Sequence, residues 1–373
     1  MKRWTVLVLL GLAGCAGPGP SGKLPPASDR CVIVISLDGF PAYLFEDPRL
    51  PAPTLLRMMR EGASAQGMTI INPTVTWPNH TTLATGVPPI KHGVLFNGLL
   101  VAERGKAAHV EPRSRADLVR VPTVYDVAHQ AGLHTAQVDW IPWQTGGTID
   151  WAFEEVPNPK GVVEQEMVAA GLATEKELEE FKKANIQWRD LMWTRAAVHI
   201  LKRHRPNLMY FHLLTIDAAH HRYGPKTPAG MSAIALADAR VAELLGALEQ
   251  AGLKDRATVI VVSDHGFKGT KRSIRPNAAL AREGFIHVEG GKITSAAASV
   301  VPEGGTAMVY LRTPEALAAA AKIKSLLAGL EGVDRVLEPG DFAGQGMPQP
   351  KDNPQMAEQD LAVDEILGAA QRH

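Results

Sequence analysis

The sequence predicts an α/β protein with a mainly parallel central sheet and helices on both faces. Three apolar, β-branched runs, "CVIVISLDGF", "NLMYFHLLTID" and "RATVIVVSDHG", each lead to an Asp. Buried parallel strands read this way when their carboxyl ends open into loops. Between them lie helical stretches at 187–204 and 228–252, the second with Pro near its start and Gly at its end. Strands alternating with helices call for a sheet covered on both sides, with ligands at the carboxyl ends of its strands.

The elements follow in chain order. "MKRW" is a positive start, "TVLVLLGLAG" a short apolar core too short to span a bilayer, and "LAGC" resembles the lipobox of a bacterial lipoprotein. That resemblance implies a signal peptide over 1–15, a lipidated Cys15, and an exported chain anchored by lipid in the bacterial cell envelope. Residues 16–30 then read as a Pro/Gly/Ser tether, 31–337 as the catalytic domain, and 338–373 as an atypical C-terminal segment that looks truncated. Cys31, at the head of an apolar run, has no partner for an internal disulfide and is expected to be a small buried hydrophobe. The charged stretch 101–120 reads as an exposed excursion, and the Pro- and Gly-rich 338–358 as loop.

Composition narrows the function. Of 373 residues, 45% are hydrophobic, and 39 basic side chains balance 39 acidic ones. Such a chain buries a sizeable core and lacks the positive field that a stable nucleic-acid partner needs. A small phosphate-bearing substrate remains open.

The predicted strand ends collect chemistry. Asp38 ends the first run, Asp217 and His221 follow the second, and Asp264 with His265 follows the third. Carboxylate oxygen and imidazole nitrogen are zinc ligands in hydrolytic sites. Asp217 and His221 stand four apart, so a helical turn there puts both on one side. Two divalent ions would clamp the attacking and leaving oxygens of a displacement at phosphorus. Thr76, in "NPTVTWPNH", offers a hydroxyl at the start of an expected helix, where backbone amides favour an anion. His220 is read as solvent-facing or as supporting its neighbour, and His199 and His204 as surface or packing residues.

These motifs resemble the alkaline phosphatase superfamily over residues 32 to about 312, most closely its nucleotide pyrophosphatase/phosphodiesterase branch. "SLDGF", Thr76 to His80 as Thr-aromatic-Pro-Asn-His, "TGVPPIKHGVLFN" and "DAAHHRYGP" all fit that pattern. The resemblance implies an alkaline-phosphatase-like fold and two divalent ions, in the first place Zn2+. It makes Thr76 the metal-bound nucleophile that forms a phospho-threonine intermediate, with Asn97 binding a non-bridging phosphate oxygen. Asp38, Asp264 and His265 would hold the ion at Thr76, and Asp217 and His221 the other. Trp77 stands where the family stacks an aromatic on a nucleobase, so a nucleotide-like diester is the implied substrate. A sulfatase's Cys or Ser followed by x-Pro-x-Arg is absent.

One family feature is missing. The second zinc normally takes a further histidine from a "T-H-G" type motif, and this chain has none. His287 lies in the wrong context to replace it, and His220 and His373 are candidates by default. The alternatives are therefore a degenerate, non-catalytic relative, or a phosphomonoesterase or phosphonate hydrolase of the same superfamily.

Overall fold

The structure is a computed structural model that describes residues 26–101, 105–111, 118–142, 147–349 and, for its backbone, 362–368. Cys15, the leader, the tether up to residue 25 and His373 lie outside the described residues. Among the described residues no helix is long and apolar enough to cross a membrane.

The described residues form thirteen strands: β1 (Cys31–Leu37), β2 (Leu99–Val101), β3 (His109–Glu111), β4 (Thr135–Val138), β5 (Trp151–Phe153), β6 (Leu208–Leu213), β7 (Ala257–Val262), β8 (Ile286–Glu289), β9 (Lys292–Ala296), β10 (Ala298–Glu303), β11 (Thr306–Leu311), β12 (Val333–Leu337) and β13 (Ala362–Gly368). Five of them make the central sheet, in the order β5-β4-β6-β1-β7. Every pairing in it is parallel, so the expected α/β architecture is the one observed.

Side-chain alternation along β1 explains why both faces are covered. Cys31, Ile33, Ile35 and Leu37 point into a core with Trp193 and Ile200 of the helix Ile186–His204 and Val241 and Leu244 of the helix Pro228–Gln250. Val32 and Val34 point the other way, into a cluster with Tyr125, Trp140 and Tyr210. A strand buried on both faces must be apolar at successive positions, and this one is.

A second, antiparallel sheet runs β10-β11-β13-β12. The stretch expected to be an exposed excursion from 101 is in part structured. β2 and β3 pair as an antiparallel ribbon, Leu100 is buried with Met308 and Tyr310, and Ala108 N–H donates to Ser299 Oγ at 3.1 Å. The ribbon is held because its apolar face covers the second sheet, which its polar composition concealed. Residues 338–358 are likewise not loop throughout, since Pro339–Gln345 forms a 3-10 helix that buries Phe342.

Candidate active site

β6, β1 and β7 are neighbours, and Ser36 of β1 registers with His212 of β6 and Val262 of β7. Their carboxyl ends therefore finish side by side, which brings residues 38, 217 and 264 together from distant parts of the chain. Asp38 follows β1 directly, and Asp264 and His265 follow β7. Asp217 lies in the first turn of the helix Thr215–Tyr223 and not at a strand terminus. The buried Asp190 carboxylate accepts the N–H groups of Leu214 and Thr215 at 3.0 and 3.1 Å and ties that helix to its place. The helix also makes the four-residue spacing work, with His221 Nε2 standing 3.3 Å from Asp217 Oδ1.

Gly39 is required where Asp217 arrives. Its φ is +65°, and a Cβ there would stand 3.1 Å from Asp217 Oδ1. Only glycine adopts that conformation freely while letting another segment approach so closely.

The turn "NPTVTWPNH" holds Thr76 by means of Asn79. Asn79 Oδ1 accepts from Ile71 N at 3.1 Å, and its amide donates to the carbonyls of Pro73 and Val75 at 3.2 and 3.0 Å. Thr76 then opens the helix Thr76–Thr85 after an extended Val75. Pro78 fits in its first turn, where a backbone N–H would have no intrahelical partner, and Gly86 at φ 69° closes it. Thr76 Oγ1 faces His265 Nε2 at 3.5 Å. Asn97 is exposed, and its Oδ1 accepts the Trp77 N–H at 2.9 Å, which leaves its amide hydrogens as donors beside Thr76.

Trp77 is not placed as the family pattern implied. Its indole is 6% exposed and packs with Val94, Leu118 and Ile141. The helix turns residue 77 inward when residue 76 faces the cluster, so in this geometry the ring anchors the turn and offers no free face to a base.

The donors at the strand ends fit a divalent cation. Asp38 Oδ1, Asp264 Oδ2 and Asp217 Oδ1 are buried and have no hydrogen-bond partner. His265 Nε2 stands 3.3 Å from Asp38 Oδ1 and 3.5 Å from Asp264 Oδ2. A tetrahedron with bonds of about 2.0–2.1 Å has edges of about 3.3–3.4 Å, so these separations suit a shared ion better than direct hydrogen bonds. Without an ion the crowding appears as displaced proton affinities. Burial, reinforced by the Asp38 charge, pushes Asp217 up to about 7 and Asp264 up to about 6. For Asp38 burial also pushes upward, but the hydrogen bond from His212 and the charge of His265 outweigh it and hold the carboxyl below its usual range. Against burial, the Asp264 and Asp38 carboxylates lift His265 to about 9.

The other histidines divide clearly. His220 is buried, with Nδ1 3.2 Å from the Gly39 carbonyl, so it braces the turn after β1 and is not solvent-facing. His199 and His204 are not simple surface residues either, since both Nε2 atoms meet Glu166 Oε2, at 2.9 and 2.8 Å, with Arg203 Nε at 3.0 Å from Oε1. Those are hydrogen-bond lengths beside a guanidinium, which marks an ion-pair cluster joining two helices. Among the described residues, no histidine stands with Asp217 and His221 as a third ligand.

Two residues escaped the sequence reading. His212 is the lone polar side chain inside the apolar run of β6, and Asp139 ends β4 just as Asp38 ends β1. His212 Nε2 is 3.1 Å from Asp38 Oδ2, and its Nδ1 is 3.1 Å from both the carbonyl O and Oδ2 of Asp139. The available signal was weak: "TAQVD" leads to an Asp as the other strands do, but polar Thr135 and Gln137 interrupt it.

The parallel sheet and the cluster beyond its strand ends are the arrangement that the resemblance to the alkaline phosphatase superfamily implied. Within it the match is specific: the model for "Type I phosphodiesterase / nucleotide pyrophosphatase" covers residues 32–339, and the chain belongs to that family. It is 26% identical over 329 residues to a bis(5'-adenosyl)-triphosphatase of Xenopus laevis, spanning 83% of this chain and 62% of that one. It is 27% identical over 245 residues to an uncharacterized pyrophosphatase/phosphodiesterase of Schizosaccharomyces pombe, spanning 64% and 45%. The chain thus spans less than two thirds of the length of these curated relatives. In fold it resembles phosphonoacetate hydrolase from Sinorhizobium meliloti 1021, solved with phosphonoacetate, at TM-score 0.63, 22% identity, and 92% and 82% coverage of this chain and that one. It also resembles an inactive variant of murine ectonucleotide pyrophosphatase/phosphodiesterase 5 solved with AMP, at TM-score 0.62, 18% identity, and 91% and 78% coverage.

Proposed function

We propose that the protein is a metal-dependent phosphoric diester hydrolase that acts on nucleotide-like esters through a covalent phospho-Thr76 intermediate. The observation that carries this reading is the position of Thr76 Oγ1, at the first residue of a helix and 3.5 Å from His265 Nε2. Asp38, Asp264 and His265 would hold one divalent ion, and Asp217 with His221 a second, with zinc favoured by the oxygen and nitrogen donors. Such ions supply Lewis acidity that activates a hydroxyl at neutral pH and neutralises charge on the departing oxygen.

The chain's own residues do the rest. Thr76 Oγ1 forms the bond to phosphorus as the bond to the leaving alcohol breaks. The Asn97 amide donates to a non-bridging oxygen, whose charge grows in the transition state. Asn79 keeps the hydroxyl aimed, and water later takes the phosphoryl group from Thr76. An uncharged amide at residue 97 leaves room for a second ester group, which supports diesters over monoesters. Anchoring to the cell envelope by lipid on Cys15 belongs to the same proposal and rests on the lipobox resemblance alone.

The test is hydrolysis of the p-nitrophenyl ester of thymidine monophosphate in excess zinc, with Thr76→Ala beside the parent chain. Turnover that vanishes in a folded Thr76→Ala supports the mechanism. A variant that keeps a tenth of the parent rate rules out the covalent route. A second reading, phosphonate hydrolysis, is favoured by the fold likeness to phosphonoacetate hydrolase, and phosphonoacetate assayed in parallel separates the two.

A further inference from the structure

We propose that His212 and Asp139 are positioning residues for Asp38: the imidazole holds one oxygen of that carboxylate so that the other is presented to the metal site. This rests on the metallohydrolase reading above.

Strand geometry puts the three groups on one side of the sheet. Side chains alternate along a strand, and Val34 and Tyr210 both face the Tyr125–Trp140 cluster. Ser36 and Asp38 continue that parity on β1, and His212 continues it on β6 opposite Ser36. Asp139 arrives from the end of β4, the neighbour of β6 on its other side. All three side chains are at most 1% exposed.

The hydrogen bonds divide the Asp38 carboxylate between two tasks. Oδ2 receives His212 Nε2 at 3.1 Å. Oδ1 has no hydrogen-bond partner and faces His265 Nε2 at 3.3 Å. A carboxylate with one oxygen committed in this way binds a cation through the other and cannot swing to a bidentate pose. On its far side His212 Nδ1 meets the Asp139 carbonyl, which can only accept, so this nitrogen carries a hydrogen as well. The ring is therefore held at both ends. His80 closes a third side, edge-on to His212 at 4.5 Å, stacked on Trp140 at 4.1 Å and bonded to Ser36 Oγ at 3.0 Å. Asp139 itself is held at φ +52°, a conformation that costs energy for a residue with a side chain. A metal carboxylate benefits from such a chain: groups that orient a ligand change metal affinity about 10–100-fold.

The experiment titrates zinc into the full chain against a chromophoric chelator, with His212→Leu, His212→Gln and Asp139→Asn beside the parent, and records the melting of each metal-free protein. Gln keeps a donor toward Asp38, whereas Leu fills the space without one. The expected result is a 10–100-fold weaker zinc affinity in folded His212→Leu, most of it restored in His212→Gln, and a smaller loss in Asp139→Asn. In turnover assays kcat should fall with little change in KM. Parent-like affinity in folded His212→Leu overturns the proposal, as does His212→Gln binding no better than Leu. If His212→Leu does not fold, parent-like affinity in Asp139→Asn decides against it. A parent chain that takes up no zinc overturns the hydrolase reading itself, an outcome distinct from equal affinity in parent and variants.

Discussion

Asn97 Oδ1 accepts the Trp77 backbone N–H at 2.9 Å, and this one bond decides which way the exposed amide points. An amide oxygen spent on the backbone leaves its two N–H donors for a ligand. Asn97→Ala is expected to lower kcat about 100- to 1,000-fold, the usual loss for one donor to a developing oxyanion. Asn97→Asp keeps the acceptor and should fall at least as far. Steady-state rates on the thymidine ester, with melting temperatures as a control, check both.

Asn79 serves three backbone partners in the turn before Thr76. Asn79→Ala leaves them unmet, and the chain should lose about 1–3 kcal/mol of stability. Activity should drop further than that loss explains, because the hydroxyl is no longer aimed. A denaturant titration together with kcat tests this, and a variant with parent-like kcat would show that the turn holds its shape unaided.

Gly39→Ala meets two obstacles. Its φ of +65° costs a side-chain-bearing residue about 1–2 kcal/mol, and the added methyl stands 3.1 Å from Asp217 Oδ1. The carboxylate must shift, so zinc binding should weaken beyond the stability loss. Unchanged zinc affinity in the folded variant would contradict the close approach of Asp217 to residue 39.

The metal-free protein should lose stability as pH rises from about 5 to about 9. Asp217, at about 7, and Asp264, at about 6, are raised by burial above the unfolded value near 3.9. These two groups thus bind more protons in the folded chain than in the unfolded one, and their contribution to the slope of stability with pH is negative from about 4 to about 7, opposed only below about 6.5 by His80, His92 and His220, which burial lowers. His265, lifted to about 9 by Asp264 and Asp38 against burial, acts in the same sense, its contribution complete below its ordinary value and lost as pH passes 9. Burial raises Asp139 to about 7 and Glu303 to about 8, with the same sign. Melting curves in chelator should show the decline, and saturating zinc should flatten it. A melting temperature that rises over this interval would be the contrary result.

Much of this was legible from local pattern. Apolar, β-branched runs leading to an Asp identified β1, β6 and β7: β1 and β6 are buried almost throughout, and β7, at the sheet edge, keeps the same apolar character while half-exposed. Pro near its start and Gly at its end located the helix at 228–252, which the structure ends two residues earlier, and the motif around Thr76 located the start of another. Asp38, Asp264 and His265 were named because they follow strands that have just left the sheet, and Asp217 and His221 because they stand four apart in the stretch that follows β6.

Position relative to other strands was not legible. That Asp38, Asp217 and Asp264 share one space follows from the order β6-β1-β7 and its register, and no local pattern encodes that order. The inward turn of Trp77 and the covering of the second sheet by β2 and β3 depend on which surfaces meet. So does the line from Asp139 through His212 to Asp38. Composition and periodicity determined the elements and the chemical groups they carry, because those reflect each residue's own neighbours in the chain. Tertiary structure alone decided which groups face one another, because hydrogen bonds and burial between residues some 170 positions apart exist only once the strands have paired.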